Sequence, residues 1–396
     1  MSKGTVVVAG ALANKPRNGG NAWTRLHWLL AFRKLGFDPY FLEEIRSAVC
    51  VDADGRPAPP AASINAAYLA AVMKQFGFER RFTLLCDGTK PILGQELNRL
   101  EDLVGRADIL FNISGHLQAP ALKLAPRSRI YLDDDPGYTQ IWHATGQLGA
   151  RLSGHAHYFT FGANIGTDAC QIPTGDIRWA RTRPPIVLDE WPRRADEKFG
   201  QFTTVASWRG PFGTVEFGGK TYGPKAHEFR KLLTLPAKTG LKFELALDIH
   251  EADGKDRAAL AQAGWQVASP EVAATPDAFR SYVQNSSAEF SVAQPLYVHS
   301  RSGWFSDRTA AYLASGKPAL VQDTGFSQYL PVGEGLLAFR TLEEAVAGAH
   351  QIVSRYAHHS RAARALAEEF FDSSKVLGEL LNEISTSDVE RKSKPA

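Results

Sequence analysis

Cysteine is scarce in this chain, and so is any imbalance of charge. Cys50, Cys86 and Cys170 are the only 3 in 396 residues, and no two form a CxxC pair, which argues against a disulfide framework or a zinc site. Buried, reduced thiols are expected instead. Lys and Arg total 45 against 42 Asp and Glu, for a formal charge of +3. That demands no polyanionic partner, though it leaves a nucleic-acid acceptor open. No apolar run approaches the roughly 18 residues that cross a bilayer. The N-terminus enters an apolar strand directly, without a basic start, a long apolar core or a cleavage site. The expected location is the cytoplasm. Also missing are a GxxxxGK[ST] phosphate loop, a GxSxG elbow, a kinase signature and a GxGxxG fingerprint after Gly10. No repeat of 20 to 50 residues is visible.

At 44% hydrophobic and 22% charged, the chain has the composition of an ordinary globular protein. Its length suffices for two domains, each burying a core of its own. The first half alternates strand and helix signals. Thr5 to Ala9 reads as a strand, Ala11 to Gly20 as a glycine-bearing loop, and Asn21 to Leu35 as a helix with Trp23, Leu26 and Leu30 on one face. Pro39 to Leu42, Ala107 to Asn112, Arg129 to Leu132 and His157 to Phe161 are apolar runs followed by polar or glycine-bearing loops, as parallel βα units require. Between Arg181 and Arg194 the sequence mixes proline pairs with charge and reads as a linker. A new α/β series opens at Phe202. The expected division is a first domain over 1–185, a linker over 186–199, a second domain over 200–365, returning C-terminal helices over 366–385 and a disordered tail over 386–396.

The run from Pro295 to Arg340 carries the most functional information. It reads as strand, small-residue loop, helix, strand, loop, helix and strand. Ser300, Ser302 and Gly303 are small, Arg301 and Arg308 are cationic, and Ser306 is placed to cap a helix starting at Asp307, so an anion could sit at that helix start. Gly316 and Pro318 stop the helix, and Pro318 to Gln322 reads as a buried strand. Asp323, Thr324 and Gly325 then fall at a strand end, where open α/β sheets bind ligands.

Ser302-Gly303-Trp304, the stretch Ala314 to Pro318, and Gln322-Asp323-Thr324-Gly325 resemble the C-terminal, nucleotide-sugar-binding domain of GT-B glycosyltransferases. The resemblance implies an α/β fold of two Rossmann-like domains facing a central cleft, with the C-terminal helix crossing back onto the N-terminal domain. It places Ser300 to Trp304 and Ser306 to Arg308 at the donor diphosphate, and Asp323, Thr324 and Gly325 at the sugar. Thr204, Ser207 and Trp208 follow the first strand of the second domain, a position that faces the donor phosphates in such proteins, and Gly19 and Gly20 could admit the donor from across the cleft. Trp304 stacks on a nucleobase or packs in the core, and the sequence favours neither. Retaining members often carry two glutamates flanking this helix. Aligning on Gly316 puts Gly303 and Ala311 there, so that pattern's contacts are not carried over.

Asp133, Asp134 and Asp135 follow an apolar run, and three adjacent carboxylates are costly unless solvated, paired or bound to metal. They resemble the DxD motif of GT-A glycosyltransferases, but that fold would leave the second α/β half unexplained. Asp135, Asp133 and His116, in strand-end loops of the first domain, are the candidate catalytic residues. No metal and no cofactor is expected; the nucleotide-diphosphate sugar is a co-substrate. The expected activity is transfer of a hexosyl group from that donor to a small-molecule, glycan or macromolecular acceptor. A nucleotide-sugar 2-epimerase of GT-B-like fold and a non-catalytic nucleotide-binding protein are the alternatives.

Overall fold

The apolar run Thr5–Ala9 is buried from Val6 onward and forms β1, near the middle of an eight-stranded sheet ordered β4-β3-β2-β1-β5-β6-β7-β8. The computed structural model describes residues 2–88, 90–194 and 198–393. The other strands of this sheet are β2 (Asp38–Ile45), β3 (Phe82–Cys86), β4 (Lys90–Leu93), β5 (Ile109–Ile113), β6 (Ser128–Asp133), β7 (His157–Thr160) and β8 (Trp179–Arg181), of which β2 and β5 flank β1. Every pairing is parallel except β3 with β4.

The second lobe starts with β9 (Phe202–Ser207) and a two-stranded antiparallel hairpin, β10 (Val215–Phe217) and β11 (Lys220–Tyr222). With β12 (Phe243–Asp248), β13 (Gln266–Ala268), β14 (Ala288–Ser291), β15 (Ala319–Gln322) and β16 (Leu336–Phe339) it builds an all-parallel sheet ordered β13-β12-β9-β14-β15-β16. In both sheets the strand order reverses beside the first strand, which creates a crevice at the carboxyl ends of the strands.

The helix Gly19–Lys34 begins where Asn18 Oδ1 accepts the N–H of Asn21 at 3.0 Å, and it ends in Arg33 and Lys34, which suit the negative end of its dipole. It is buried on almost every side because it lies between the lobes. Trp23 Nε1 donates to Pro276 O at 2.8 Å on the helix Pro276–Gln284. A Cβ on Gly19 would stand 2.1 Å from Thr275 O, so only glycine permits this approach.

The chain closes on itself after the second sheet. Ile186 N donates to Phe371 O at 2.7 Å and Ser373 N to Ile186 O at 2.9 Å, stitching the linker to a π-helical turn at 367–371. The final helix, Ser373–Ser393, then packs on Gly19–Lys34, and Glu379 and Glu383 pair with Arg183 and Arg178 of the first lobe. The expected return of the C-terminal helix to the N-terminal lobe is therefore present.

Several local expectations change. The segment expected to be a strand at Pro295 is a helix, Pro295–Ser300, with proline in its first turn; the strand is the preceding Ala288–Ser291, whose apolar pattern Glu289 interrupts. Gly19 and Gly20 belong to the first helix, not to the loop before it. The segment 386–393, expected as a disordered tail, continues the last helix, and 394–396 lie outside the described residues. So do 195–197 of the expected linker. No helix among the described residues is long and apolar enough to cross a membrane.

Candidate active site

Loops leaving the carboxyl ends of β1, β6, β9 and β12 converge on a cleft of about 590 Å³ between the lobes. The loop after β1 forms one wall, and a buried carboxylate shapes it. Glu43 Oε2 accepts from Leu12 N at 2.8 Å and Ala13 N at 2.7 Å, and its Oε1 accepts from Asn14 N at 2.7 Å. Burial lifts this carboxyl to about 7, while the three N–H groups and Arg25 pull it back down. The clamped loop presents Lys15 and Arg17 to the cleft.

The three aspartates at the end of β6 have separate destinations. Asp133 is fully buried and accepts from Thr139 Oγ1, Gln140 Nε2 and Thr160 Oγ1, each at 2.7 Å, so it scaffolds the turn and does not reach the cleft. Burial holds its carboxyl up at about 6. Asp134 lies 3.2 Å from Arg25 and accepts the Ser114 hydroxyl. Asp135 lines the cleft and accepts the phenol of Tyr297 at 3.0 Å. Burial, then the charge of Asp134, pushes Asp135 up to about 7, against the pull of Lys15 and Tyr297. Among the described residues no group of three or more His, Cys, Asp or Glu is placed to hold a metal. His116 is half-buried off the cleft lining, and burial followed by Arg25 keeps it neutral, down at about 3.

The opposite wall comes from Ser207 at the end of β9, from Lys225 after the hairpin, and from Trp304 and Ser306 to Arg308 at the start of the helix Asp307–Ala314. Arg308 is largely engaged within its own lobe: Nε reaches Glu289 at 2.7 Å, and the two terminal nitrogens reach Val205 O at 2.8 Å and Ser291 Oγ at 2.7 Å. Asp307 already supplies an anion to the helix start, accepting from Arg308 N at 2.9 Å and from the Thr24 hydroxyl of the other lobe. Ser306 occupies the cap position without making a capping bond.

The cleft cations therefore divide into two classes. Arg17 pairs with Glu271 at 2.7 Å, Arg25 with Asp134, and Arg308 with Glu289. Lys15 and Lys225 make no side-chain hydrogen bond or ion pair among the described residues, and they face the cleft from opposite lobes. Burial and the nearby Arg308 lower the Lys225 ammonium to about 7, against the attraction of Glu289. An anion beside it would restore its charge.

Of the residues singled out in the sequence, Gly20, Ser207, Trp304, Ser306, Asp307, Arg308 and Asp135 meet at this cleft. The others lie off its lining. Gly19 packs against the backbone at Thr275, Thr204 is buried, and Trp208 sits in the second core with Nε1 on Asp256 at 2.9 Å. Ser300 turns back onto Leu296 O. Arg301, Ser302 and Gly303 form a contact between the lobes: Asn164 N donates to Ser302 O at 3.0 Å and Asn164 Nδ2 to Arg301 O at 2.7 Å. A Cβ on Gly303 would lie 2.9 Å from Asn164 N. Thr324 and Gly325 join the same contact, and Asp323 is bound by Arg340 at 2.7 Å.

Lys15, Arg25, Lys225 and Tyr297 escaped the sequence reading. Lys15 lies in the glycine-bearing loop after β1, a strand-end position that was legible. Lys225 follows a hairpin of two three-residue strands, and nothing local marks it.

No protein-family profile matches the chain, and no curated protein sequence does. Solved structures do. An alpha-glucosyltransferase in complex with UDP-glucose and DNA containing an abasic site superposes with a TM-score of 0.58 at 10% identity, covering 96% of this chain and 98% of that one. The Anabaena protein HepE, solved with UDP and glucose, gives 0.56 at 10% identity over 97% and 100%. A glycosyltransferase from Rickettsia africae gives 0.53 at 11% identity over 96% and 98%. With the two facing parallel sheets and the returning helix, these matches establish that the chain has the GT-B fold.

Proposed function

We propose that the protein is a glycosyltransferase that moves a sugar from a nucleotide-diphosphate donor, bound in the cleft between the lobes, to an acceptor hydroxyl. One observation carries this reading: Lys15 and Lys225 face a shared cleft from opposite lobes, and neither is tied up in an ion pair among the described residues. A departing diphosphate needs positive charge held where its own negative charge develops. Lys225, whose charge a bound anion restores, supplies it, and Arg308 beside it adds to the local field. Ser207 offers a hydroxyl to the same space, and Trp304 an aromatic face.

Asp135 is the cleft carboxylate suited to accept the acceptor proton, because its carboxyl near 7 is poised between holding and releasing one. The acceptor is a small molecule, a glycan or a macromolecule. The neighbouring structures with bound UDP support a nucleotide-sugar donor.

Thermal unfolding in the presence of UDP, dTDP, GDP and CMP tests the reading, because a ligand that binds the native state raises the midpoint. One nucleotide should raise it, and the matching nucleotide sugar should release its nucleotide on incubation with the protein. No rise with any of them would overturn the proposal.

A further inference from the structure

Tyr297 belongs to the second lobe, yet its hydroxyl bonds to the first. It lies in the helix Pro295–Ser300, is 2% exposed, and donates to Asp135 Oδ1 at 3.0 Å. Its ring is fixed on two sides: Trp304 stacks on it at 4.5 Å and 25°, and Tyr138 meets it edge-on at 5.7 Å and 90°. A second bond runs alongside, from Tyr138 OH to Gln294 Oε1 at 2.9 Å, so the start of this helix touches the Asp135 region twice. Asp135 Oδ2 has no hydrogen-bond partner among the described residues, and the residue lines the cleft. One carboxylate oxygen is thus held while the other is left for a substrate.

We infer that Tyr297 is a positioning residue that orients Asp135 across the cleft, so that the proton acceptor is assembled only when the lobes are together. This rests on the sugar-transfer reading. In the step it serves, the acceptor O–H proton passes to Asp135 Oδ2, and the oxygen pair forms the new bond to the anomeric carbon. The bond from that carbon to the phosphate oxygen breaks, and its electron pair leaves with the diphosphate beside Lys225. Tyr297 transfers no proton. Burial and the adjacent Asp135 push its phenol well above the usual value, so it remains a donor at any working pH. The groups around Asp135 are Asp133 at the end of β6, Asp134 in its own loop, Lys15 from the loop after β1, Tyr138 in the following helix and Tyr297 from the other lobe. Tyr297 is the only neutral hydrogen-bond donor to the Asp135 carboxylate among the described residues.

Carbon-13 titration of aspartate carboxyls in the full chain, with Asp135→Asn to assign the resonance, reads the coupling without any substrate. Tyr297→Phe keeps the ring and removes only the oxygen. Loss of a hydrogen bond to the charged form should raise the Asp135 midpoint by about one pH unit. The acidic limb of nucleotide-sugar turnover should move up with it, while calorimetric nucleotide affinity stays at the wild-type value. An unchanged Asp135 midpoint in a folded Tyr297→Phe protein overturns the inference. Failure of the wild type to bind any nucleotide would sink the sugar-transfer reading instead, whatever the titration shows.

Discussion

Trp23 hands its indole N–H to the carbonyl of Pro276 at 2.8 Å, which fastens the first helix of one lobe to a helix of the other. Beside it Arg17 meets Glu271 at 2.7 Å and Thr24 meets Asp307. The lobes are thus joined along one side of the cleft, and Gly19 is what lets them approach, because a side chain there would collide with Thr275 O.

Gly19→Ala should therefore cost about 1–3 kcal/mol by overpacking and widen the cleft. Chemical denaturation and small-angle scattering check it. A substitution that leaves both stability and radius of gyration unchanged would show that the approach is not tight.

Lys225→Ala should weaken nucleoside-diphosphate binding about 10- to 100-fold, the usual range for a lost hydrogen bond to a charged group. The wild type carries a further signature. A bound anion raises the Lys225 ammonium from about 7, so at and above that pH the complex takes up protons. Titration calorimetry in buffers of different ionisation enthalpy should record that uptake in the wild type and lose it in the variant.

Arg308→Ala should act on stability. Glu289 is fully buried and Arg308 is its ionic partner, and stranding a buried charge costs about 3–5 kcal/mol. Adding Glu289→Gln should recover part of that loss in a urea titration.

Arg301→Ala should leave nucleotide affinity within about twofold, as for substitutions remote from a site. Arg301 sits in the left-handed region at φ 52, where its carbonyl serves Asn164, and it does not line the cleft. Calorimetry decides; a large loss would return the diphosphate to the loop at 300–303.

That last case shows where the sequence was legible and where it was not. Strands such as Thr5–Ala9 and Phe202–Ser207 and the helix stop at Gly316 and Pro318 follow from local patterns, because burial in a parallel sheet selects apolar runs and turns select glycine and proline. The crossing of the last helix follows from the family resemblance, not from its own residues. What Arg301 and Ser302 face was not legible, since it depends on Asn164, 137 residues from Arg301 and in the other lobe. The hairpin before Lys225 escaped for the same reason: the segment leading into it is held by aromatic contacts across the lobes, with Phe212 at 4.5 Å from Tyr138 and 5.0 Å from Trp142. Asp133 and Asp135 read alike in sequence, and only the turn built on Thr139 and Gln140 separates scaffold from cleft carboxylate.

Asp135 also sets a pH dependence. Its carboxyl is raised from 3.8 to about 7, so the fold holds that proton more tightly than the unfolded chain does. Its contribution to stability is complete below 3.8 and is lost as pH rises through about 7. Asp135→Asn should raise the unfolding midpoint by about 2–4 °C on the alkaline side of that range and change it little on the acid side. If Asp135 is the base, turnover should run the other way, rising with pH through about 7 as it loses its proton, and the same variant should abolish that limb.

The most direct measurement is a paired calorimetric titration of wild type and Lys225→Ala with the nucleoside diphosphate that stabilises the wild type best. The account predicts saturable binding with proton uptake in the wild type and a loss of about 10-fold or more in the variant. Equal affinity in the two proteins, or no heat from any nucleoside diphosphate in the wild type, would contradict it.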